Sequence, residues 1–154
     1  MLNEGDRVPD VKLEGMEGEP VSPADFRGNK LVVYFYPKDD TTGCTREAQD
    51  FTGLADEFEK TGTWIIGVSK DSRASHARFA GKYGLKVSLA SDVDGTACEA
   101  FGTWTEKSMY GRKYMGIERA TFLINRDGTI NRIWRKVKVN GHAEEVLAAA
   151  RELP

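Results

Sequence analysis

Cys44 is the residue of this chain whose type and position are best suited to chemistry. It follows an apolar run, residues 31–36, that predicts a buried strand, and Pro37 ends this strand because proline cannot donate to a strand ladder. After Cys44, apolar side chains recur at helical spacing: Ala48, Phe51, Leu54, Ala55 and Phe58. Cys44 is therefore predicted to lie in the first turn of a helix.

The first turn of a helix favours the thiolate form of a cysteine. Free backbone N–H groups and the positive end of the helix macrodipole stabilise negative charge there, and the thiolate is the nucleophilic form of the side chain. A small, buried and inert cysteine is the alternative. The neighbouring residues are more polar and flexible than those of an ordinary core position: Thr41, Thr42, Gly43 and Thr45. We therefore predict a reactive cysteine.

The elements around Cys44 predict an α/β protein. Strands are expected at residues 31–36, 63–69, 87–91, 120–124 and 129–139, preceded by a short hairpin that turns at Gly18. Helices are expected after Cys44, over residues 71–83, at 96–101 and from 141 onward, whereas residues 103–116 are expected to form a long loop. The strand–helix–strand order predicts parallel neighbouring strands with a right-handed crossover. A mixed central sheet flanked by helices satisfies this order, and the thioredoxin-like fold has it.

Length and charge narrow the class of protein. A chain of 154 residues predicts one domain, 1–154. The 24 acidic and 22 basic residues nearly balance, so neither nucleic acid nor an anionic membrane is an expected partner. No apolar stretch approaches the ~20 residues that span a bilayer. The first residues carry no signal-peptide pattern, so the expected compartment is the cytoplasm.

The remaining candidate ligands do not form a recognisable metal or dithiol site. The chain contains two cysteines, Cys44 and Cys98, and no Cys-x-x-Cys motif, which argues against a thioredoxin-type dithiol oxidoreductase. Its two histidines, His76 and His142, lack ligand-like spacing to either cysteine, so no metal and no cofactor are expected. We expect Cys98 to be a buried structural residue, His76 to be at the surface or half-buried, and His142 to lie near a helix N-cap.

Several segments of the chain resemble a known family. Pro37-x-x-x-Thr41-x-x-Cys44, with Glu47 three residues later, resembles the active-site signature of peroxiredoxins. Residues 34–39 and 43–45 look most like the bacterioferritin comigratory protein, or peroxiredoxin Q, subfamily. Further matching segments extend the resemblance over nearly the whole chain: residues 109–111, 116–122, 134–137 and 141–142.

The resemblance implies a thiol-dependent peroxidase, an antioxidant oxidoreductase that reduces hydrogen peroxide and organic hydroperoxides through a cysteine sulfenic acid. Cys44 would be the peroxidatic nucleophile, and Thr41 would orient the peroxide. Arg119 would hold the thiolate and polarise the O–O bond, Pro37 would shield Cys44 from water, and Glu47 would position Arg119. The implied reductant is an external thiol, such as thioredoxin or a glutaredoxin/glutathione system, and the implied oligomeric state is a monomer.

The chain departs from the subfamily in its resolving cysteine. Many members place this cysteine five residues after the peroxidatic one, where this chain has Gln49, and others place it in the next helix, around Ala80. The sulfenic acid must nevertheless condense with a thiol or be oxidised further. Three alternatives stay open: a Cys44–Cys98 disulfide, a one-cysteine cycle completed by an external thiol, or a resolving cysteine replaced in this chain at position 49 or 80.

Two other functions are compatible with a reactive cysteine on this fold. One is a thioredoxin-like chaperone or redox sensor without peroxide turnover, and the other is a glutaredoxin-like thiol transferase. Loss of one reactive thiol on peroxide treatment, abolished by Cys44→Ser, distinguishes the peroxidase from the first. A preference for glutathionylated substrate over peroxide would indicate the second. The aromatic and methionine residues of segment 109–115 indicate that organic peroxides could be accepted.

Overall fold

The computed structural model describes residues 2–154 and centres on a seven-stranded mixed sheet. Its first strands are β1 (Leu13–Gly15), β2 (Pro20–Val21), β3 (Lys30–Phe35), β4 (Thr63–Ser69) and β5 (Ser88–Ser91). Two hairpins follow, β6 (Trp104–Met109) with β7 (Arg112–Ile117) and β8 (Ala120–Ile124) with β9 (Ile130–Trp134). The order across the sheet is β2-β1-β5-β4-β3-β8-β9, and β6 and β7 form a separate two-stranded sheet. The predicted mixed central sheet is confirmed.

Helices cover both faces of the sheet. They are α1 (Thr42–Gly53), α2 (Ala55–Lys60), α3 (Arg73–Tyr83), α4 (Thr96–Ala100) and α5 (His142–Arg151), with a 3-10 helix at Pro23–Phe26. Both ends of α3 are capped: the Ser72 hydroxyl accepts from the Ser75 N–H at its start, and Gly84 ends this helix with a φ of 60°. Within residues 2–154, no helix is long and apolar enough to cross a membrane.

The helix predicted to run from Cys44 past Ala55 is in fact two helices. α1 ends at Gly53, and Leu54 leaves the helical region with φ −105° and ψ 5° before α2 begins. Glycine is a poor helix former, which explains the position of the break. The prediction of one continuous helix was therefore wrong, although Phe51 and Phe58 are both fully buried, as expected.

β3 is the strand that leads to Cys44, and it is buried on both faces. It pairs in parallel with β4 and antiparallel with β8, so the predicted βαβ unit is confirmed. Side chains alternate between the faces of a strand. On one face, which we call the α4 face, lie Leu31, Val33, Phe35 and the side chains of α4. On the other, the α1 face, lie Val32, Tyr34, Tyr36 and the side chains of α1, α3 and α5.

Residues 103–116 form a hairpin, and the predicted long loop was wrong. β6 and β7 pair antiparallel around Tyr110 and Gly111, whose φ angles are 52° and 78°, the left-handed pair typical of a two-residue hairpin turn. Several large apolar side chains on this hairpin are exposed: Met109, Tyr110, Tyr114 and Met115. A hairpin exposed on both faces has no clear alternation of apolar and polar residues, which is why the sequence pattern did not indicate it.

The second strand of the C-terminal hairpin is shorter than predicted. β9 ends at Trp134, and Lys136 has a φ of 48°, outside the β region. β9 is an edge strand. Arg132 lies on this edge strand, whereas the other basic residues of the predicted strand follow its end: Arg135, Lys136 and Lys138.

Candidate active site

The site lies where β3 leads into α1. The chain leaves β3 at Phe35, crosses a loop of residues 36–41, and enters α1 after the N-cap residue Thr41. Cys44 is the third residue of α1, and its predicted position in the first helical turn is confirmed. Its side chain packs on the α1 face with 2% of the residue exposed. The sulfur is therefore held near the free N–H groups of a helix start, with little access to water.

Arg119 is brought to Cys44 by the pairing of β8 with β3. It directly precedes Ala120, which pairs with Phe35 at the end of β3. Its Nη2 atom donates to the Cys44 Sγ at 3.4 Å, and its Nη1 atom donates to the Glu47 Oε1 at 2.7 Å. The Arg119 side chain is 16% exposed and that of Glu47 only 1%. One guanidinium thus bridges the thiol and a buried carboxylate.

Gly43 is a residue of the site that the sequence reasoning did not single out. A β-carbon at this position would lie 3.2 Å from Arg119 Nη2. Any larger residue would therefore press on the guanidinium that contacts Cys44. Its position directly before the reactive cysteine was the available signal.

Arg119 and Glu47 affect each other's ionisation. Burial alone would lower the pKa of Arg119, but the charges of Glu47 and Cys44, with the hydrogen bonds to both, raise it above its usual value. The guanidinium therefore remains positive. Burial raises the pKa of Glu47 from 4.5 to about 7, although Arg119 opposes this shift. Among residues 2–154, the Glu47 Oε2 atom has no hydrogen-bond partner, which agrees with a carboxylate that is costly to bury.

Glu47 makes folding stability depend on pH in a defined direction. Between pH 4.5 and about 7 the folded protein keeps a proton on Glu47 that the unfolded chain releases. The free energy of unfolding therefore decreases as pH rises through this window, by roughly 3 kcal/mol at most. In Glu47→Gln this decrease should be absent.

Denaturant unfolding of both proteins at pH 5 and pH 8 measures the effect. The other titrating groups are common to both, so the difference between the proteins isolates Glu47. A Glu47→Gln profile that parallels the wild type over this range would contradict the prediction.

The other two predicted site residues lie in the loop before α1. Thr41 is exposed, and its Oγ1 atom donates to the Lys38 carbonyl at 2.8 Å. Because this bond uses the single hydroxyl hydrogen, the lone pairs of the Thr41 oxygen remain available to accept from a ligand. Pro37 is exposed, two residues after the buried strand β3 ends at Phe35. The structure thus brings Cys44, Glu47 and Arg119 into contact and places Thr41 at the mouth of the same corner.

The sequence matches the AhpC/TSA family over residues 4–133. The chain belongs to this family. It is 52% identical over 140 residues to the peroxiredoxin Bcp of Xanthomonas campestris, covering 91% of this chain and 88% of the relative. It is 44% identical over 149 residues to the peroxiredoxin Bcp of Bacillus subtilis, covering 97% and 95%.

Solved structures agree with this assignment. One is of the Xanthomonas campestris bacterioferritin comigratory protein, which is described as having alkyl peroxide reduction activity. It has a TM-score of 0.90 at 44% identity, and the match covers 97% of this chain and 98% of that protein. A peroxiredoxin Q mutant of Xylella fastidiosa has a TM-score of 0.91 at 40% identity and covers 97% and 95%. The chain is thus a thiol-dependent peroxiredoxin of the Bcp/peroxiredoxin Q group with a thioredoxin-like fold. The chaperone or sensor alternative is not favoured.

Cys98 of this peroxiredoxin lies on the α4 face, across the sheet from Cys44. It is fully buried among side chains that include Phe35 and Phe101. Its backbone N–H donates to Asp92 Oδ2 at 2.8 Å. Burial, with the nearby Asp92 carboxylate, raises the pKa of its thiol. The structure therefore does not bring the possible resolving residue Cys98 to Cys44.

The two positions where other members carry a resolving cysteine lie on the same side as Cys44. Gln49 is exposed on α1, and Ala80 of α3 packs against the core of the α1 face. Neither side chain contains a thiol. Among residues 2–154, no second thiol lies on the α1 face.

His76 is fully buried, so the prediction of a surface or half-buried residue was wrong. Its Nδ1 atom lies 2.7 Å from Asp39 Oδ2, and its Nε2 atom lies 3.2 Å from the Ala90 carbonyl oxygen. His76, Phe79 and Tyr83 are spaced as one helical face, which was the signal available in the sequence. His142 starts α5, as predicted, and burial lowers its pKa to about 4.

A cavity of about 410 Å³ lies away from this site. Trp64 and Thr63, at the first residues of β4, contribute to its wall. The cavity lies at the start of β4, where Thr63 pairs with Lys30. Cys44 lies beyond the other end of β3, so most of a strand length separates Cys44 from the cavity. Residues 2–154 contain no group of three or more His, Cys, Asp or Glu side chains arranged to hold a metal ion.

Proposed function

We propose that this peroxiredoxin reduces hydrogen peroxide and organic hydroperoxides in a one-cysteine cycle, with Cys44 as the peroxidatic residue. The observation that carries the proposal is the 3.4 Å contact between Arg119 Nη2 and Cys44 Sγ in the first turn of α1. A fixed guanidinium beside a helix start concentrates positive charge on one sulfur. The sulfur is thereby prepared to react as a thiolate.

In the first half of the cycle, the Cys44 thiolate attacks the terminal oxygen of a hydroperoxide, ROOH. The S–O bond forms as the O–O bond breaks, giving Cys44 sulfenic acid, and the alkoxide or hydroxide that leaves takes up one proton. Negative charge develops on the leaving oxygen during this step. Arg119 and the N–H groups of the α1 start are placed to stabilise it.

Thr41 is assigned the role of hydrogen-bond acceptor for the peroxide. Its hydroxyl hydrogen is committed to the Lys38 carbonyl, so its oxygen can accept the O–H of the hydroperoxide. This bond orients the terminal oxygen toward Cys44, three residues further along the chain. Glu47 positions Arg119 through the 2.7 Å ion pair, and Pro37 limits the access of water at the start of the loop.

In the second half of the cycle, an external thiol reduces the sulfenic acid. Attack of a first thiol on the Cys44 sulfur releases water and forms a mixed disulfide, and a second thiol then releases the Cys44 thiol and leaves as the oxidised disulfide. Thioredoxin or a glutaredoxin/glutathione system is the proposed source. The support is the position of Cys98 behind the sheet and the absence of sulfur at Gln49 and Ala80.

Organic hydroperoxides are included because of the hairpin β6–β7. Exposed Met109 and Met115 offer apolar surface on this hairpin. Lys107 lies in the middle of β6. Desolvation and the charge of Arg119 lower the pKa of Lys107, whereas Cys44 raises it, so this hairpin lies within electrostatic reach of the site. The relative from Xanthomonas campestris is described as having alkyl peroxide reduction activity, which agrees with this assignment.

Intact mass after one equivalent of peroxide tests the one-cysteine cycle. We expect one added oxygen atom on the wild-type chain, lost again on addition of a thiol, because the sheet keeps Cys98 from Cys44. Cys98→Ala is the matched control and should show the same added oxygen. Loss of two hydrogens from the wild type, but not from Cys98→Ala, would demonstrate a Cys44–Cys98 disulfide and contradict the proposal.

The protein is further proposed to be a cytoplasmic monomer folding as one domain. Near the N-terminus, the Gly5 N–H donates to the Ile130 carbonyl and the Val8 N–H to the Gly128 carbonyl, so the first residues are joined to the far hairpin. A single unfolding transition and a monomeric mass in light scattering are the expected results. A separate transition or a dimeric mass would contradict these two proposals.

A further inference from the structure

The loop that carries Thr41 is attached to α3 by a buried polar network that the reaction described above does not use. The Asp39 carboxylate accepts from the Tyr36 hydroxyl at 2.6 Å and from the Ser75 hydroxyl at 2.8 Å. Its Oδ2 atom also lies 2.7 Å from His76 Nδ1. His76 is fully buried, and Asp39 is 7% exposed. The network therefore joins the end of β3, the loop and α3 in a site with almost no water access.

The hydrogen-bond partners of the two ring nitrogens determine the charge of His76. Burial opposes ionisation of Asp39, but hydrogen bonds from His76 and Tyr36 outweigh it and lower the pKa of Asp39, so this residue is a carboxylate. A carboxylate and a carbonyl oxygen are acceptors only. His76 faces the first with Nδ1 and the Ala90 carbonyl with Nε2. Both ring nitrogens must therefore donate, which makes His76 an imidazolium. The Tyr36 hydroxyl, 3.3 Å from Nδ1, already gives its hydrogen to Asp39.

The residue that carries this carboxylate also belongs to a peptide group that is held at both of its polar atoms. The Asp39 N–H donates to Asp71 Oδ2 at 2.8 Å. The Lys38 carbonyl, which belongs to the same planar peptide group, accepts the Thr41 hydroxyl at 2.8 Å. Rotation of this plane would break both bonds. The next residue, Asp40, has a φ of 57°, a left-handed conformation that costs energy in a non-glycine residue and persists only where its surroundings enforce it.

We propose that the buried His76–Asp39 ion pair is a positioning element of the peroxidase: it holds the Lys38–Asp39 peptide group, and through it the Thr41 hydroxyl, in the orientation that accepts a hydroperoxide. The inference rests on the proposed role of Thr41. His76 touches neither Cys44 nor the peroxide, so it acts only through the loop. A buried ion pair contributes little net stability relative to apolar packing, whereas a fixed orientation has direct value for catalysis.

Imidazole ¹⁵N NMR of the wild-type protein tests the charge of His76. The chain has only two histidines, and His142, whose pKa is lowered to about 4, supplies a neutral reference at pH 7. We expect one ring with two protonated nitrogens, which His76→Asn removes from the spectrum. Two neutral rings at pH 7 would overturn the assignment of an ion pair.

Single-turnover kinetics test the positioning role. His76→Leu should slow oxidation of Cys44 by peroxide about 10- to 100-fold, while alkylation of Cys44 by iodoacetamide, which does not use Thr41, stays at the wild-type rate. His76→Asn keeps a donor near the position of Nδ1 and should recover part of the loss. Lys82→Gln, which removes an exposed ion pair with Asp40 from the same helix and loop, is the matched control and should react like the wild type.

A double-mutant cycle shows whether His76 acts through Thr41. If it does, Thr41→Val with His76→Leu should be no slower than Thr41→Val alone. Three results would each overturn the inference: additive losses of rate in the double variant, a loss of alkylation rate in His76→Leu equal to its loss of oxidation rate, or wild-type peroxide kinetics in His76→Leu. If His76→Leu does not fold, the same comparisons are made with His76→Asn. Failure of the proposed function can be distinguished from failure of this inference, because in that case peroxide would not oxidise Cys44 even in the wild-type protein.

Discussion

Replacement of Cys44 by serine is expected to abolish peroxide reduction, with a loss on the order of 10³-fold or more. Serine has nearly the same shape, but its hydroxyl is not ionised near neutral pH, so the adjacent Arg119 and helix start have no anion to stabilise. Peroxide consumption in the presence of excess dithiothreitol measures the effect.

The matched control for this experiment is Cys98→Ala. This residue is buried on the α4 face, away from the site, and its replacement should leave turnover near the wild-type value once folding is verified by circular dichroism. Residual activity in Cys44→Ser, together with inactivity of Cys98→Ala, would reverse the assignment of the two cysteines.

Replacement of Arg119 by methionine is expected to slow the oxidation of Cys44 by about 10²- to 10³-fold. The change removes the donor at 3.4 Å from the sulfur and the positive charge that faces the leaving oxygen. Arg119→Lys should recover only part of the rate, because one ammonium group cannot reproduce the planar fork that contacts Cys44 and Glu47 together. Stopped-flow fluorescence of the three tryptophans in the chain can follow the reaction.

The matched control here is Arg112→Met, which removes an exposed arginine from the hairpin β6–β7. It should leave the oxidation rate unchanged. Equal rates for Arg119→Met and the wild type would show that the guanidinium has no role in the chemical step.

A second expected effect of Arg119→Met is that Glu47, deprived of its partner, remains protonated to higher pH.

The β3–α1–β4 unit was predictable because its signals are local. An apolar run, a proline and a helical repeat follow one another, and the structure has β3 and β4 close to the predicted bounds, with the one predicted helix divided into α1 and α2. The position of Cys44 in the first turn follows from those signals alone. The break at Gly53 was missed because the apolar repeat continues across it.

Contacts between distant residues were not predictable in the same way. Arg119 is 75 residues from Cys44, and no spacing rule connects them; only the resemblance to peroxiredoxins indicated the pair. His76 and Asp39 are 37 residues apart, and neither spacing nor the family resemblance connects them, so His76 was predicted to be at the surface or half-buried. The hairpin of residues 104–117 was missed for another reason, because alternation is informative only where one face is buried.

The central sheet separates the sulfur of Cys44 from that of Cys98. This separation determines what can react with Cys44 after it has been oxidised. In a protein that contains both cysteines of its own disulfide, formation of that disulfide protects the oxidised cysteine from further oxidation until a reductant arrives. In the proposed one-cysteine cycle, the oxidised Cys44 has no such partner in the folded chain, so an incoming thiol donor competes with a second peroxide molecule for it. Abundant donor would sustain the cycle, whereas excess peroxide would oxidise the sulfur to the irreversible sulfinic state. The proposal therefore makes the supply of thiol the factor that limits the peroxide concentration at which the enzyme can work.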